Sequence, residues 1–418
     1  MSQIHKKFNT DTIVGMLKKY LNKEIDRVYI QELLGIKRSR FFSVLKKYKE
    51  NPERFTIEYK KNQPKRINSE IEKYIIEELA LDKSIIDNND VPIRNYNYSY
   101  IRKRIENKFN QTVSLPTIIN RAKKNGFYIK NKKKKKVHDR EVLTNYPGEL
   151  IQHDSSYHLW APDAKKKWHL ITSLDDYSRL ILFGKFVQKE TTFKHIKALE
   201  TVVLKYGIPF SYYVDSHSIF RYVRGRDSYI NKHHKLTDDV DPQWKIVLNE
   251  CNINLIYALS PQAKGKIERP YRWLQDNIVR TCVRENIDNI KDAQDILNNE
   301  INLYNYKQVH STTKEIPSVR FDYATNNSKT LFRDFHIPKP LESVKDLFSV
   351  KITRMANAYR RISINNITFR IKTVNPRDEV TLRIYPLDYN ISEIRFWVKN
   401  KLVDVQKIQN SEFKGVHF

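Results

Sequence analysis

Apolar positions in the first fifty residues recur at helical spacing. Ile13, Met16, Leu17 and Tyr20 share one face of a predicted helix over residues 12–21, and residues 29–34 predict a second. Gly35 and Ile36 mark a turn. Ser39 then stands where it would cap a third helix reaching Tyr48, with Phe42 and Leu45 facing inward. A short helix, a glycine turn and a basic helix make a helix-turn-helix pattern, in which Arg38, Arg40, Lys46 and Lys47 would face phosphates or base edges. A plain three-helix bundle with a solvated basic face fits the same spacing.

A second helical unit follows. Ser69 opens a predicted helix to about residue 81, with Glu72 at the capping-box position. Residues 82–97 are polar and read as a loop, and Ser99 would cap a helix to about residue 107. Ser114 caps another, with Pro116 in its first turn and Gly126 past its end. That helix carries Arg121, Lys123 and Lys124, so it is a second helix-turn-helix candidate. The nearly continuous lysines of residues 130–136 repel one another and predict an unpacked tether, or one that tracks a polyanion.

The texture changes at Gly148. Residues 150–155, 168–174 and 180–186 predict strands. Residues 192–206 predict a helix with Phe193, Ile196, Leu199, Val203 and Leu204 inward, ended by Gly207 and Pro209. A strand at 212–214, a helix at 242–251, a strand at 253–259 and a long helix at 264–285 complete an α/β order with a mixed sheet. Past Pro317 the chain reads as looser. From about residue 347 it becomes strand-rich, with runs at 361–364, 367–371, 380–385, 394–398 and 402–405. Asn365 and Asn366 form a hairpin turn, and five short strands suggest a small β-barrel. The expected division is two helical units (1–55 and 65–128), a basic linker (129–145), an α/β core (146–325) and the barrel (345–410).

Composition adds constraints. The 418 residues are 40% hydrophobic and 12% aromatic, enough to pack several cores. No apolar run approaches the roughly 18 residues of a membrane helix, and the polar, basic N-terminus predicts no secretory leader. Only Cys251 and Cys282 are cysteines, which excludes a disulfide framework or a cysteine-rich zinc site and fits a reducing interior. The expected location is bacterial cytoplasm, in association with the nucleoid. Net charge is +28, unevenly placed: residues 1–150 carry 34 basic and 18 acidic groups, residues 151–320 carry 25 and 20, and the remainder 17 and 10. An AT-rich genome would inflate lysine overall but would not spare the middle. Basic flanks around a near-neutral core point to a polyanion partner.

Three acids stand where such a core would gather them. Asp154 lies within the first strand, Asp215 closes the fourth, and Glu268 sits one turn into the long helix. An aspartate inside a strand is unfavourable by propensity and burial, so it needs either satisfied hydrogen bonds or a ligand role. Oxygen-only donors suit Mg²⁺ or Mn²⁺, and two such ions serve in-line phosphoryl displacement.

The local strings go further. Residues 148–154 (Gly-Glu-Leu-Ile-Gln-His-Asp), 175–179 (Asp-Asp-Tyr-Ser-Arg), 214–220 (Val-Asp-Ser-His-Ser-Ile-Phe) and 260–269 (Ser-Pro-Gln-Ala-Lys-Gly-Lys-Ile-Glu-Arg) occur in the order seen in integrase-core transposases and retroviral integrases. The chain resembles bacterial insertion-sequence transposases of the ISNCY type over about residues 145 to 325. The resemblance implies an RNase H-like core with a mixed five-stranded sheet, and an Asp154, Asp215, Glu268 triad holding two divalent ions, Mg²⁺ or Mn²⁺. It also implies cleavage of transposon ends by water, followed by attack of the freed 3′-hydroxyl on target DNA. Double-stranded DNA would be the partner, both terminal repeats and target, and the active form a homo-multimer on paired ends. The 52 residues between Asp215 and Glu268 exceed the retroviral spacing, and the excess (221–241, with His233 and His234) resembles an insertion. The retroviral His-His-Cys-Cys zinc pattern is absent.

Around Glu268, Lys264, Lys266, Arg269 and Arg272 are candidate phosphate contacts, and Arg272, on Glu268's helix face, suits an intrahelical ion pair better than the others do. Asp175 and Asp176 read as turn formers, His153 as a packed strand residue, His217 as a phosphate-orienting or surface residue, and Trp160, Trp168 and Trp273 as core. Arg361, Arg370 and Arg377 would add DNA contacts from the barrel. Two rival readings stay open: an RNase H-like nuclease without strand transfer, and a catalytically retired DNA-binding regulator.

Overall fold

The computed structural model describes residues 4–58, 67–130, 144–215, 242–258, 265–364, 367–388 and 390–413, with the backbone alone at residues 5 and 265–269. Expectations at Lys264, His217, the insertion, the lysine run after Lys130 and the Asn365-Asn366 turn lie outside these residues. Contacts divide the chain at Glu72 into an N-terminal unit and a larger second unit. Among the described residues no helix is long and apolar enough to cross a membrane.

The N-terminal unit holds α1 (Thr10–Leu21), α2 (Arg27–Leu34) and α3 (Arg38–Glu50) around Ile13, Leu17, Ile30, Leu34 and Phe41. Gly35 ends α2 in the left-handed region at φ 61°, as a tight turn into the next helix requires. The start of α3 differs from expectation. Lys37 stands at its N-cap, and Ser39 lies inside the helix. Its buried stripe is Phe41, Val44, Leu45 and Tyr48, so Phe42 faces outward, with the Arg27 and Arg38 guanidiniums 6.0 and 5.9 Å from its ring centre.

The second helical unit comprises α4 (Ser69–Asp87), α5 (Tyr98–Phe109) and α6 (Leu115–Lys124). The Asn68 carboxamide accepts from Glu70 N–H at 3.2 Å, taking the capping role expected of Ser69. The helix also runs to Asp87 rather than stopping near residue 81, because Asp82 and Ile85 are buried against a partner. Asn97 caps α5 in place of Ser99, accepting from Tyr100 N–H at 2.9 Å. Ser114 caps α6 as expected, and Gly126 follows it at φ 78°.

The α/β core contains β1 (Ile151–His158), β2 (Trp168–Asp175), β3 (Ile181–Val187), α7 (Thr192–Tyr206), β4 (Ser211–Val214), α8 (Gln243–Glu250), β5 (Asn254–Tyr257) and α9 (Gly265–Arg284). The sheet order is β3-β2-β1-β4-β5. The first three strands are antiparallel, and β4 and β5 run parallel to β1. This is the mixed five-stranded sheet expected. On one face lie α7 and α8, with Ile196, Leu199, Val203 and Trp244 inward; on the other, Leu274, Ile278 and Cys282 of α9 pack on Leu170, Leu174 and Trp160. Leu204 is exposed instead of inward, and Val202 is buried. The reason is that α7 is covered on a second side, where Phe193 and Glu200 meet Tyr385 of the β-rich unit.

Two further helices change the picture after Glu285. α10 (Ile290–Tyr306) covers the edge strand β3: Gln294 accepts from Phe186 N–H at 2.8 Å, and the Asn305 carboxamide accepts from Ile181 N–H and donates to its carbonyl. Covering an edge removes a pairing hazard. α11 (Pro317–Asn326) forms where the sequence read as looser, with Pro317 at its first position.

The C-terminal unit has six strands where five were expected. They are β6 (Val350–Met355), β7 (Arg361–Ile364), β8 (Ile367–Arg370), β9 (Glu379–Pro386), β10 (Ile391–Val398) and β11 (Lys401–Gln409). They form a four-stranded sheet, β11-β10-β9-β6, and the hairpin β7-β8, around one interior of Ile352, Phe369, Leu382, Ile394 and Phe396. Gln243 of α8 docks it to the core, accepting from Lys351 N–H at 2.7 Å and donating to its carbonyl at 3.0 Å.

Candidate active site

Register brings the two aspartates together. Ile151 pairs with Tyr212 and Gln152 with Tyr213 across the parallel β1/β4 ladder. Continuing that ladder by two residues places Asp215 opposite Asp154. Both are half-buried, at the carboxyl side of the parallel strands, where open α/β sheets bind ligands. On its other side Asp154 pairs with Thr172 of β2.

The third acid of the expected triad, Glu268, lies on α9. Tyr271 is buried; its hydroxyl accepts from Thr172 Oγ1 at 2.7 Å and lies 3.4 Å from the Leu170 carbonyl, to which it donates. One turn further, Gln275 Nε2 donates to Ser156 Oγ at 3.2 Å. These contacts put the stripe at 271 and 275 over β1 and β2 beside Asp154, and Glu268, one turn before Tyr271, occupies the same stripe. Its side chain, like those of Lys266 and Arg269, lies outside the described residues. Burial pushes the Tyr271 phenol well above its ordinary pKa, and the negative charges of Asp154, Glu190 and Asp215 add to that shift. The phenol therefore stays protonated.

Two oxygen-donor aspartates on neighbouring strands, with a glutamate position on the facing helix, fit hard divalent ions such as Mg²⁺ or Mn²⁺. Among the described residues no three potential ligands converge. A third donor would have to come from Glu268.

Behind Asp154, on the opposite face of β1, runs a chain of polar groups that the sequence did not reveal. Ser173 Oγ and His153 Nδ1 are 2.9 Å apart, His153 Nε2 and His195 Nδ1 2.8 Å, and His195 Nε2 and Glu190 Oε1 2.9 Å. Glu190 Oε2 reaches His169 Nδ1 at 3.3 Å. In this chain His195 Nε2–H donates to the Glu190 carboxylate. His153 is packed as expected, stacked on Trp244 at 5.5 Å. Burial works to raise the Glu190 pKa, but the His195 hydrogen bond and charge, with help from Ser155 and His169, prevail and hold it at about 2.

Glu190 thus stabilises the fold most above its ordinary value of 4.5, and that contribution fades as pH falls towards 2. Glu190→Gln is expected to cost on the order of 2–3 kcal/mol at neutral pH, read by amide hydrogen exchange along α7 and β1, with most of the gap gone by about pH 3. A gap that persists undiminished there would contradict the low pKa.

Asp175 and Asp176 are turn formers. Asp175 accepts from Gly148 N–H at 2.9 Å and Ser178 N–H at 2.8 Å, and Asp176 from Arg179 at 2.8 Å and Thr144 at 2.8 Å. Gly148 sits at φ 77° with the Phe332 ring and backbone against it, leaving no room for a Cβ. Trp160 and Trp168 are core, whereas Trp273 is half-buried against Tyr304.

Most of the predicted DNA-facing groups among the described residues are exposed. Arg38, Arg40, Lys46 and Lys47 are all exposed on α3, and Lys46 is 3.7 Å from Glu50. On α6, Lys123 and Lys124 are exposed and Arg121 is half-buried. Arg272 is exposed on α9. Arg361 and Arg370, both exposed, sit directly opposite each other across β7-β8, and Arg377 is also exposed. Like charges in that position disfavour pairing unless an anion joins them.

No family model matches the chain. Over 194 residues, 46% of the chain, it is 30% identical to a relative from Sinorhizobium fredii that carries the transposase name y4bF. Over 195 residues, 47% of the chain, it is 29% identical to the transposase for insertion sequence IS1202 of Streptococcus pneumoniae. These stretches are 41% and 39% of those proteins, so the chain spans about two fifths of the length of the curated relatives it matches. Among solved structures, the HTLV-2 integrase catalytic core domain in complex with magnesium is 14% identical, with 42% of this chain and 97% of that one covered at a TM-score of 0.32. The simian T-cell lymphotropic virus intasome, in complex with a PP2A regulatory subunit, is 12% identical, with 72% and 93% covered at 0.31. Neither TM-score establishes a shared fold. The sequence relatives agree in being transposases of insertion sequences or named as such.

Proposed function

We propose that this chain is a DNA transposase that cleaves the ends of an insertion sequence and joins them to target DNA at Asp154, Asp215 and Glu268. The observation that carries the reading is the β1/β4 register, which sets Asp154 beside Asp215, with the helix of Glu268 pinned over them by Tyr271. The three carboxylates would hold two divalent ions, Mg²⁺ or Mn²⁺, which when bound activate an attacking oxygen and offset charge on the leaving one.

The chain's own groups supply the rest. Tyr271 and Gln275 hold α9 at a set height above β1 and β2. Lys264, Lys266, Arg269 and Arg272 offer phosphate contacts at the start of α9. The exposed cations of α3 and α6 suit recognition of terminal repeats, and those of the β-rich unit suit target DNA. The active form would be a homo-multimer on paired ends, acting on DNA in bacterial cytoplasm.

The direct test mixes the full chain, a duplex carrying the DNA that flanks its own gene, and a supercoiled plasmid, in Mg²⁺ or in EDTA, beside Glu268→Gln. End cleavage and joining in Mg²⁺ alone, lost in the variant, is expected. Cleavage without joining would make the protein a nuclease. Tight binding with no cut in either Mg²⁺ or Mn²⁺ would make it a regulator.

A further inference from the structure

The second helical unit is bolted to the back of α9. While Tyr271, Leu274 and Ile278 face the sheet, the opposite stripe of that helix presents Asp276, Arg280 and Arg284 to α4 and α5. Arg280 Nη1 lies 2.6 Å from Asp82 Oδ1, and Arg284 Nη1 lies 2.5 Å from Glu78 Oε2; all four side chains are at most 6% exposed. Asn97, the cap of α5, donates to Asp276, and Tyr100 Oη meets Thr281 Oγ1 at 2.9 Å. Val279 closes the gap against Ile85, Val91 and Ile93. Buried ion pairs add little net stability, but any relative shift that separates them strands a charge away from water, so they select one geometry.

We infer that Glu78, Asp82, Arg280 and Arg284 are positioning residues that make α4–α6 and the helix of Glu268 one rigid body. The base pairs met by α6 and the phosphodiester met at Asp154 then stand at a set separation and helical phase. The second helical unit is on this view a ruler built into the catalytic helix, rather than a module on a tether. The inference rests on the transposase reading for its DNA consequence and on the contacts above for its rigidity.

The two parts are separable by experiment. Spin labels at Asn120→Cys on α6 and Asn299→Cys on α10, both exposed sites, report the separation in the full chain. Cys251 and Cys282 are buried, with thiols pushed up to about 12, and will not compete for label. One narrow distance, unchanged by added duplex, is expected; a broad or DNA-shifted distribution overturns the rigid body. In the second arm, five base pairs are inserted between the α6-protected segment of the end duplex and the cleaved phosphodiester. Cleavage at the original phosphodiester should fall at least about ten-fold, with a new cut five base pairs along. Undiminished cleavage at the original position overturns the ruler. Failure to cut even the unmodified end would count against the transposase reading, and the label distances would still decide the rigid body.

Discussion

Asp154→Asn should bind DNA ends as tightly as the unaltered chain yet cleave them on the order of 10³-fold more slowly, or not measurably. The substitution keeps size and shape. It also leaves the β1 backbone pairing with Thr172 and the ladder to β4 in place, so folding and the exposed cations of α3 and α6 are untouched. What it removes is half of the adjacent aspartate charge that the site needs to hold divalent cations. The proposed site then keeps two carboxylates, Asp215 and Glu268, in place of three. The measurement pairs a gel-shift titration with end-cleavage kinetics in Mg²⁺ and Mn²⁺. Equal cleavage by the two proteins would remove Asp154 from the site. A parallel loss of binding would show that the residue acts through the fold.

Arg280→Met should cost about 3–5 kcal/mol, the largest stability effect expected of any single change considered. Arg280 is fully buried and satisfies Asp82, Asp276 and the Asn95 carbonyl at once. Methionine fills much of the volume but leaves Asp82, itself fully buried, with one cation, Arg284 at 3.2 Å, and the Asn97 N–H at 3.3 Å. Because a chain of several units does not unfold in one step, the effect is best read by amide hydrogen exchange. Protection should drop along α4 and the outer turns of α9, while the four-stranded C-terminal sheet keeps its own. A loss below about 1 kcal/mol would mean the network is solvated and does not lock α4 to α9.

Much of this was legible in the sequence because the deciding signals are local. The helix Thr192–Tyr206 is bounded by the Thr191 cap and Gly207, both of them local signals. Ser114 with Pro116 and the glycine turn at Gly35 are likewise set within a few residues. The acids Asp154, Asp215 and Glu268 were singled out by the strings that surround them. Their proximity was an expectation that only strand register could test for the first two.

Where the reading failed, the missing information was a partner distant in sequence. α4 runs past residue 81 because Asp82 meets Arg280, 198 residues later. Phe42 turns outward because Phe41 and Val44 take the core, a one-residue choice that a helical period alone does not make. Leu204 is exposed, and Glu200 buried, because the β-rich unit covers α7 at Tyr385. The Glu190, His195 and His153 chain has no sequence signature, since its members join a strand, a loop and a helix through single hydrogen bonds. Backbone propensity and apolar period act over one or two turns and so are written in the sequence. Whether a charge is buried depends on a counter-charge brought in by the fold, and only tertiary structure decides that.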